Sequence, residues 1–303
     1  MVNKFVELLI NYAKKNKDVV LLTADLGYKV LDPFIKEFPD RFYNVGVCEQ
    51  NMIAVAGGLA LEGKKVFIYS IATFLSMRGL DFIKNIISYY NLDINLIAVG
   101  SSFEYGKLGV SHYSVEDLSV INCIYNLDIY QPNTNKELLK VFNEVKNKTN
   151  PKYIKLSKDK LDYEISHCSL QPNLIIKGQN IALFASGMMI KEALLAQKWL
   201  KNKNIHISIY SCPCLNKINS VKLKEQIKDY QYIFTIDDQS FPLIGSNINK
   251  LILKTKKIVT VNNFYLKNQR FETVGVTREI LKLYKLDGIS IAKQMKKIIE
   301  QRK

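Results

Sequence analysis

Four stretches of the sequence place side chains able to hold a proton, a charge or a flat ring just past the end of a predicted strand. Asp25 closes the apolar run VVLLTAD (19–25) and Leu26 follows it. Glu49 sits where FYNV (42–45) passes through Gly46 into a helical pattern, and Phe74 and Arg78 follow KVFIYS (65–70). His112 lies in the glycine-bearing loop 100–113 after INLIAVG (94–100). Each residue also has an ordinary explanation. A glutamate in a first helical turn commonly faces the helix dipole, and an aromatic residue on a helical period is usually core. A histidine beside glycine and serine reads as a loop residue, and an aspartate after a strand can cap a turn. Spacing alone supports a cleft and names no reaction.

Those stretches are positioned by strand-like runs that alternate with helical patterns along the whole chain. Helices are expected at 3–16, 31–38, 49–62, 73–90, 115–124 and 134–147, with strands at 19–25, 42–45, 65–70, 94–100, 127–132 and 152–156. The alternation implies an α/β protein whose parallel sheet is covered by helices on both faces. Ligands of such sheets gather outside the carboxyl ends of the strands, so all four stretches fall on one edge of one sheet. The polar segment 157–179 breaks the rhythm, and a second α/β series starts with NIALFAS (180–186) and runs to the C-terminal helices. The expected organisation is two doubly wound domains with mainly parallel sheets, 1–160 and 175–303, joined by a linker at 161–174.

Composition narrows the class. A length of 303 residues fits two domains, and 48% hydrophobic with 23% charged residues is the make-up of a soluble globular protein. No apolar run reaches the roughly 18–20 residues of a membrane span, so no membrane association is expected. The opening MVNKFVELLINYAKKNKD lacks a signal-peptide pattern, which predicts a cytoplasmic protein. Five cysteines argue against a disulfide framework. Cys212 and Cys214, with His206 on a neighbouring predicted strand, leave a zinc site open beside the plainer reading of two ordinary thiols. His167 reads as surface. The net charge of +15 comes from spread lysines, with arginine only at positions 41, 78, 270, 278 and 302. That pattern fits a solvated surface better than nucleic-acid binding, which favours arginine. Part of the charge could serve phosphorylated substrates or an acidic partner.

RFYNVGVCEQNMIAVAGGLALEG (41–63) resembles the pyrimidine-binding domain of transketolases, especially those encoded as two chains. The similarity continues through YSIATFLSMRGLDFIKN (69–85), GVSHYSVEDLSVI (109–121) and YIKLSKDKL (153–161). NIALFASGMMIKEAL (180–194) and YIFTIDDQS (232–240) are similar to the family's C-terminal domain. Nearly the whole chain is covered.

The resemblance implies a thiamine-diphosphate enzyme that moves a two-carbon ketol unit from a ketose or ketose-phosphate donor to an aldehyde acceptor. Glu49 matches the glutamate that bonds N1′ of the cofactor's pyrimidine ring; desolvated against an aromatic ring, its pKa would be raised. Phe74 matches the residue stacked on that ring, and Asp25 and Leu26 match residues bordering the thiazolium. Arg78 lies close by and is expected among the cofactor-binding residues, although no specific role transfers to it. His112 matches a histidine that bonds the donor near the reacting carbons. Lys158 stands where the family usually has a phosphate-binding arginine, whose bidentate fork a lysine lacks. It reads equally well as one surface lysine among many.

Two positions depart from the pattern. Leu108 replaces an aspartate that contacts donor hydroxyls, and GSSFEYG (100–106) lacks a second histidine, which implies an altered donor site. The family's G-D-G motif, followed by asparagine, occurs nowhere in the chain. Diphosphate and Mg2+ therefore call for a partner chain carrying the N-terminal, diphosphate-binding domain, in an assembly of two copies of each. The alternatives are the β subunit of a 2-oxoacid dehydrogenase E1 component, a deoxyxylulose-phosphate synthase relative and a non-catalytic scaffolding subunit.

Overall fold

The structure, a computed structural model, describes residues 1–158, 161, 163, 165–254, 259–267 and 269–301. The first unit runs α1 (Val2–Ala13), β1 (Val19–Thr23), α2 (Asp32–Glu37), β2 (Phe42–Asn44), α3 (Glu49–Leu61), β3 (Lys65–Ile71) and α4 (Gly79–Phe82). It closes with β4 (Ile94–Val99), α5 (Asp117–Ile121), β5 (Asp128–Tyr130), α6 (Asn135–Asn147) and β6 (Lys152–Leu156). Every residue of β1, β3, β4 and β6 is buried, as parallel strands covered on both faces must be. All pairings are parallel, in the order β2-β1-β3-β4-β6-β5. The chain reverses its direction of travel across the sheet between β1 and β3, which opens a crevice at their carboxyl ends.

The second unit comprises β7 (Asn173–Ile176), β8 (Ile181–Ala185), α7 (Met189–Lys201), β9 (Ser208–Ser211), α8 (Ser220–Ile227) and β10 (Tyr232–Ile236). It ends with α9 (Leu243–Ile252), β11 (Thr260–Phe264), α10 (Thr277–Leu283) and α11 (Gly288–Glu300). Its sheet has the order β11-β10-β8-β9-β7, parallel except for the antiparallel edge pair β7–β9. The two α/β units with mainly parallel sheets agree with the architecture expected from alternation.

Two elements differ from the sequence reading. The stretch 173–176, expected as unpatterned polar chain, forms β7 because a short edge strand needs only one partner and little alternation to pair. The single helix expected over 73–90 is broken into a π-helical turn at Phe74–Arg78, then α4, then a second π-helical stretch at Ile83–Ser88. Ser76 explains part of the break: its hydroxyl donates to the Ala72 carbonyl at 2.7 Å, competing for a backbone acceptor of the turn.

Buried polar contacts fasten the units together. Lys155 and Asp117, both fully buried, pair at 2.8 Å beneath the loop that carries His112. Tyr153 Oη donates to the other Asp117 oxygen at 2.8 Å. From the second unit, Gln239 Nε2 donates to Asp117 Oδ1 at 3.1 Å, while its Oε1 accepts from Leu118 N at 3.0 Å. A second link runs from Ser186 through Gln131 to Ser101 at the end of β4. Among the described residues, no helix is long and apolar enough to cross a membrane.

Removing one member of a dry ion pair strands the other charge. Lys155→Met is expected to lower the unfolding free energy by about 3–5 kcal/mol, measured by urea denaturation. A loss below about 1 kcal/mol would show that Tyr153 and Gln239 satisfy Asp117 without its cation.

Candidate active site

The carboxyl ends of β1, β2, β3, β4 and β6 supply every residue of the cleft. At β1, Thr23 Oγ1 bonds both the carbonyl and the amide of Leu26, folding the chain into a tight turn. Asp25 occupies the left-handed region there, at φ 56°, a conformation that aspartate tolerates better than most residues. Asn44, the last residue of β2, holds that turn: its amide group exchanges hydrogen bonds with Asp25, and its carbonyl oxygen also accepts from Gly46 N. The start of α3 is thereby registered against β1.

Glu49, in the first turn of α3, is only 2% exposed. Its Oε2 accepts from Arg78 Nη1 at 3.0 Å, and its Oε1 has Ser70 Oγ at 3.4 Å. The π-helical turn after β3 carries both Phe74 and Arg78, and the guanidinium carbon lies 4.0 Å from the centroid of the Phe74 ring. One arginine thus joins the buried carboxylate to the aromatic ring. Glu49 is desolvated, and the charged group beside it is a cation, itself half exposed.

The row continues through the loop after β4. The His112 and Phe74 rings meet edge to face with centroids 4.9 Å apart. Ser111 Oγ lies 3.0 Å from His112 Nδ1, which leaves Nε2 as the ring nitrogen without a hydrogen bond. Burial, and then the positive charge of Arg78, hold the His112 pKa below its ordinary value, so the ring is neutral at pH 7. Tyr105 follows, its ring centroid 6.2 Å from that of His112, and Lys158 Nζ stands 3.4 Å from the Tyr105 centroid. The Tyr105 ring lies where a Cβ on Gly100 would be, 2.4 Å from that position, so glycine is required at the end of β4.

Glu104 fixes the far end. Its carboxylate accepts from Ser101 N at 2.7 Å and from Lys158 N at 3.1 and 3.2 Å, tying the loop to the end of β6. Burial pushes its pKa up to about 7, against the opposing effect of those amides and of Lys155. The second unit clamps the same loop. Gly275 N donates to Gly106 O at 3.2 Å, Thr277 Oγ1 to Phe103 O at 2.9 Å, and Tyr113 Oη to Thr273 O. A Cβ on Gly106 would stand 2.5 Å from the Gly275 carbonyl, so that crossing tolerates no side chain.

Of the residues singled out in the sequence, Glu49, Arg78, Phe74 and His112 form one contiguous row, and Lys158 extends it through Tyr105. Asp25 and Leu26 lie at the neighbouring strand end, connected to the start of α3 through Asn44 rather than by contact with Glu49. Asn44, Glu104 and Tyr105 were not anticipated. The segment GSSFEYG held the signal for the last two, as an acidic and an aromatic residue in a loop at a strand's carboxyl end. Leu108, in the same loop, is 57% exposed. Cys212 and Cys214 are free and buried, and among the described residues no three His, Cys, Asp or Glu side chains cluster to hold a metal ion.

Comparison with known proteins identifies the family of the two units. The family pattern described as the transketolase pyrimidine-binding domain matches residues 1–163, and the transketolase C-terminal domain matches 173–288. The chain is 30% identical over 304 residues to a candidate transketolase C-terminal section of Methanocaldococcus jannaschii, covering 95% of this chain and 93% of that one. It is 29% identical over 299 residues to one of the subunits of the apulose-4-phosphate transketolase of Actinobacillus succinogenes, covering 96% of each. A solved split-gene transketolase, described as an inactive beta4 tetramer, superposes with a TM-score of 0.85 at 24% identity, covering 97% of this chain and 96% of that one.

Arg78→Leu removes the cation from both Glu49 and His112. It is expected to cost about 1–3 kcal/mol of stability and to raise the His112 pKa, followed by NMR titration of the imidazole; an unmoved pKa would assign the depression to burial alone. Because a raised carboxyl pKa stabilises the fold below the unfolded value near 4.5, stability tied to Glu104 is expected to fall as pH rises towards 7. Urea denaturation of Glu104→Gln should show that part of the pH dependence removed, and an unaltered profile would contradict the assignment.

Proposed function

The chain belongs to the transketolase family, and on that premise we propose that it is the smaller half of a split thiamine-diphosphate transferase. With a second chain carrying the diphosphate-binding domain, it moves a two-carbon ketol unit from a ketose phosphate to an aldehyde. Residues 1–160 would be the pyrimidine-binding domain and 175–303 the C-terminal domain. The observation that carries this reading is the buried Glu49 carboxylate, anchored through Oε2 by Arg78 while Oε1 has only Ser70 at 3.4 Å.

That arrangement fits the pyrimidine end of the cofactor. Glu49 Oε1 is left able to share a proton with a ring nitrogen, and burial keeps water from competing for it. Phe74 offers a ring face once the Arg78 guanidinium is displaced from it. Asp25 and Leu26 border the cofactor from β1. Thiamine diphosphate, when bound, supplies the electron sink for the carbon–carbon chemistry. His112 Nε2, neutral and without a partner, is placed to exchange a hydrogen bond with an oxygen of the donor. Lys158 takes the distal charge of the donor. Leu108 gives that donor an apolar neighbour where the family has a carboxylate, which supports a donor other than the usual pentose-pathway ketose phosphate. The relative from Actinobacillus succinogenes, named for apulose 4-phosphate, is a precedent for such a substrate.

The surface supports a partner. α3 is apolar on both sides: Met52, Ile53, Ala56 and Gly57 pack inward, while Val55 and Leu61 face solvent. Met77, Tyr89 and Tyr90 continue the exposed apolar area on the neighbouring helical segment. A helix apolar all round is ordinarily buried. Covering it with the diphosphate-binding chain would bring the missing magnesium and diphosphate ligands to the cleft, in an assembly of two copies of each chain.

Glu49→Gln keeps the shape of the side chain and removes its acid–base capacity. In the two-chain complex this variant is expected to lose at least about 100-fold in turnover with little change in partner affinity. Undiminished turnover would leave the scaffolding alternative as the better account.

A further inference from the structure

We propose that the cleft between the two units is a second ligand site, for a small organic phosphate, distinct from the site around Glu49. A cavity of about 730 Å3 opens there, in the size range of small-molecule pockets. Its walls come from the ends of β5 and β6, the first turns of α6 and α7, α1 and α10, and its lining includes Asn133, Ser157, Lys158, Lys191, Glu192 and Arg278.

Three observations point to an anion. Ser157 is 4% exposed, and its hydroxyl has no hydrogen-bond partner among the described residues. A buried hydroxyl left unsatisfied costs about 1–3 kcal/mol, and a ligand oxygen in the cavity would relieve that cost. Lys191 and Arg278, at the rim, make no ion pair among the described residues. Both carboxylates in the lining are engaged by backbone amides, Glu192 by Gly288 N at 2.7 Å and Glu104 by Ser101 N and Lys158 N. Burial raises the Glu192 pKa, while Lys191 and Arg278 act on it in the opposite direction without closing an ion pair. Finally, the first turns of α6 and α7 contribute the positive ends of two 13-residue helices. Leu161, Met188, Leu195 and Leu281 add an apolar part to a lining that is otherwise mostly polar, which suits the carbon skeleton of a small metabolite better than a bare ion.

Glu104 and Lys158 line this cleft and are also shared with the loop and row that lead to His112. A ligand drawing on Lys158 from the cleft would therefore act on the cation expected to meet the donor.

The test is calorimetric titration of the full chain with glycerol 3-phosphate and, separately, with inorganic phosphate. Saturable binding is expected for both, tighter for glycerol 3-phosphate. The double variant Lys191→Ala, Arg278→Ala should weaken binding at least about tenfold, and Ser157→Val by a smaller factor, while His112→Ala leaves it unchanged. Lys191 and Arg278 are exposed, so the double variant should melt like the parent and serve as a folded control. Absence of saturable binding would overturn the proposal. So would binding that the double variant leaves intact, whatever His112→Ala does, because the phosphate would then not rest on Lys191 and Arg278.

Discussion

A carboxylate that is 2% exposed needs a compensating charge or a proton, and at Glu49 the compensation comes from one guanidinium. Arg78 is half exposed, so the pair sits at a boundary: anion inside, cation at the cleft wall. This inside–outside split is what the rest of the site is arranged around. The π-helical turn at Phe74–Arg78 brings the arginine over the phenylalanine ring while it still reaches Glu49. The same cation, 4.0 Å from the ring that His112 meets edge-on, helps hold the histidine neutral. A ring ligand stacking on the face of Phe74 that Arg78 covers would displace the guanidinium from that ring.

The second constraint is positional. The loop carrying Glu104, Tyr105 and His112 has little regular structure of its own and is held from outside. Below it lie Lys155 and Asp117, and across it run the contacts from Thr273, Gly275 and Thr277. The C-terminal unit thus contributes to the cleft without placing a side chain in the row from Glu49 to Lys158. It fixes a loop that would otherwise sample many conformations, at a considerable entropic cost.

Much of this was legible in the sequence because parallel α/β sheets concentrate function at one edge. Counting strands to their carboxyl ends is enough to single out Asp25, Glu49, Phe74 and His112. What could not be read was how side chains bridge between segments. Arg78 is assigned to Glu49 by a π-helical register that helical periodicity, fitted to 3.6 residues per turn, does not anticipate. Glu104 matters because its carboxylate reaches the backbone of Lys158, 54 residues away, and no local pattern encodes that contact. β7 escaped notice because an edge strand of four residues leaves almost no alternation to detect. Asn44 looks like any polar residue ending a short strand, although it registers β1 against α3.

The central claim is that this chain supplies the pyrimidine end of a thiamine-diphosphate site and depends on another chain for the diphosphate end. Calorimetric titration of thiamine diphosphate with magnesium tests it most directly, first into the purified chain and then into the chain assembled with a G-D-G-bearing partner. Binding in the assembly and none to the chain alone is the predicted result. Tight binding to the chain alone would contradict the account, since a chain without the G-D-G motif would then hold the magnesium diphosphate by itself.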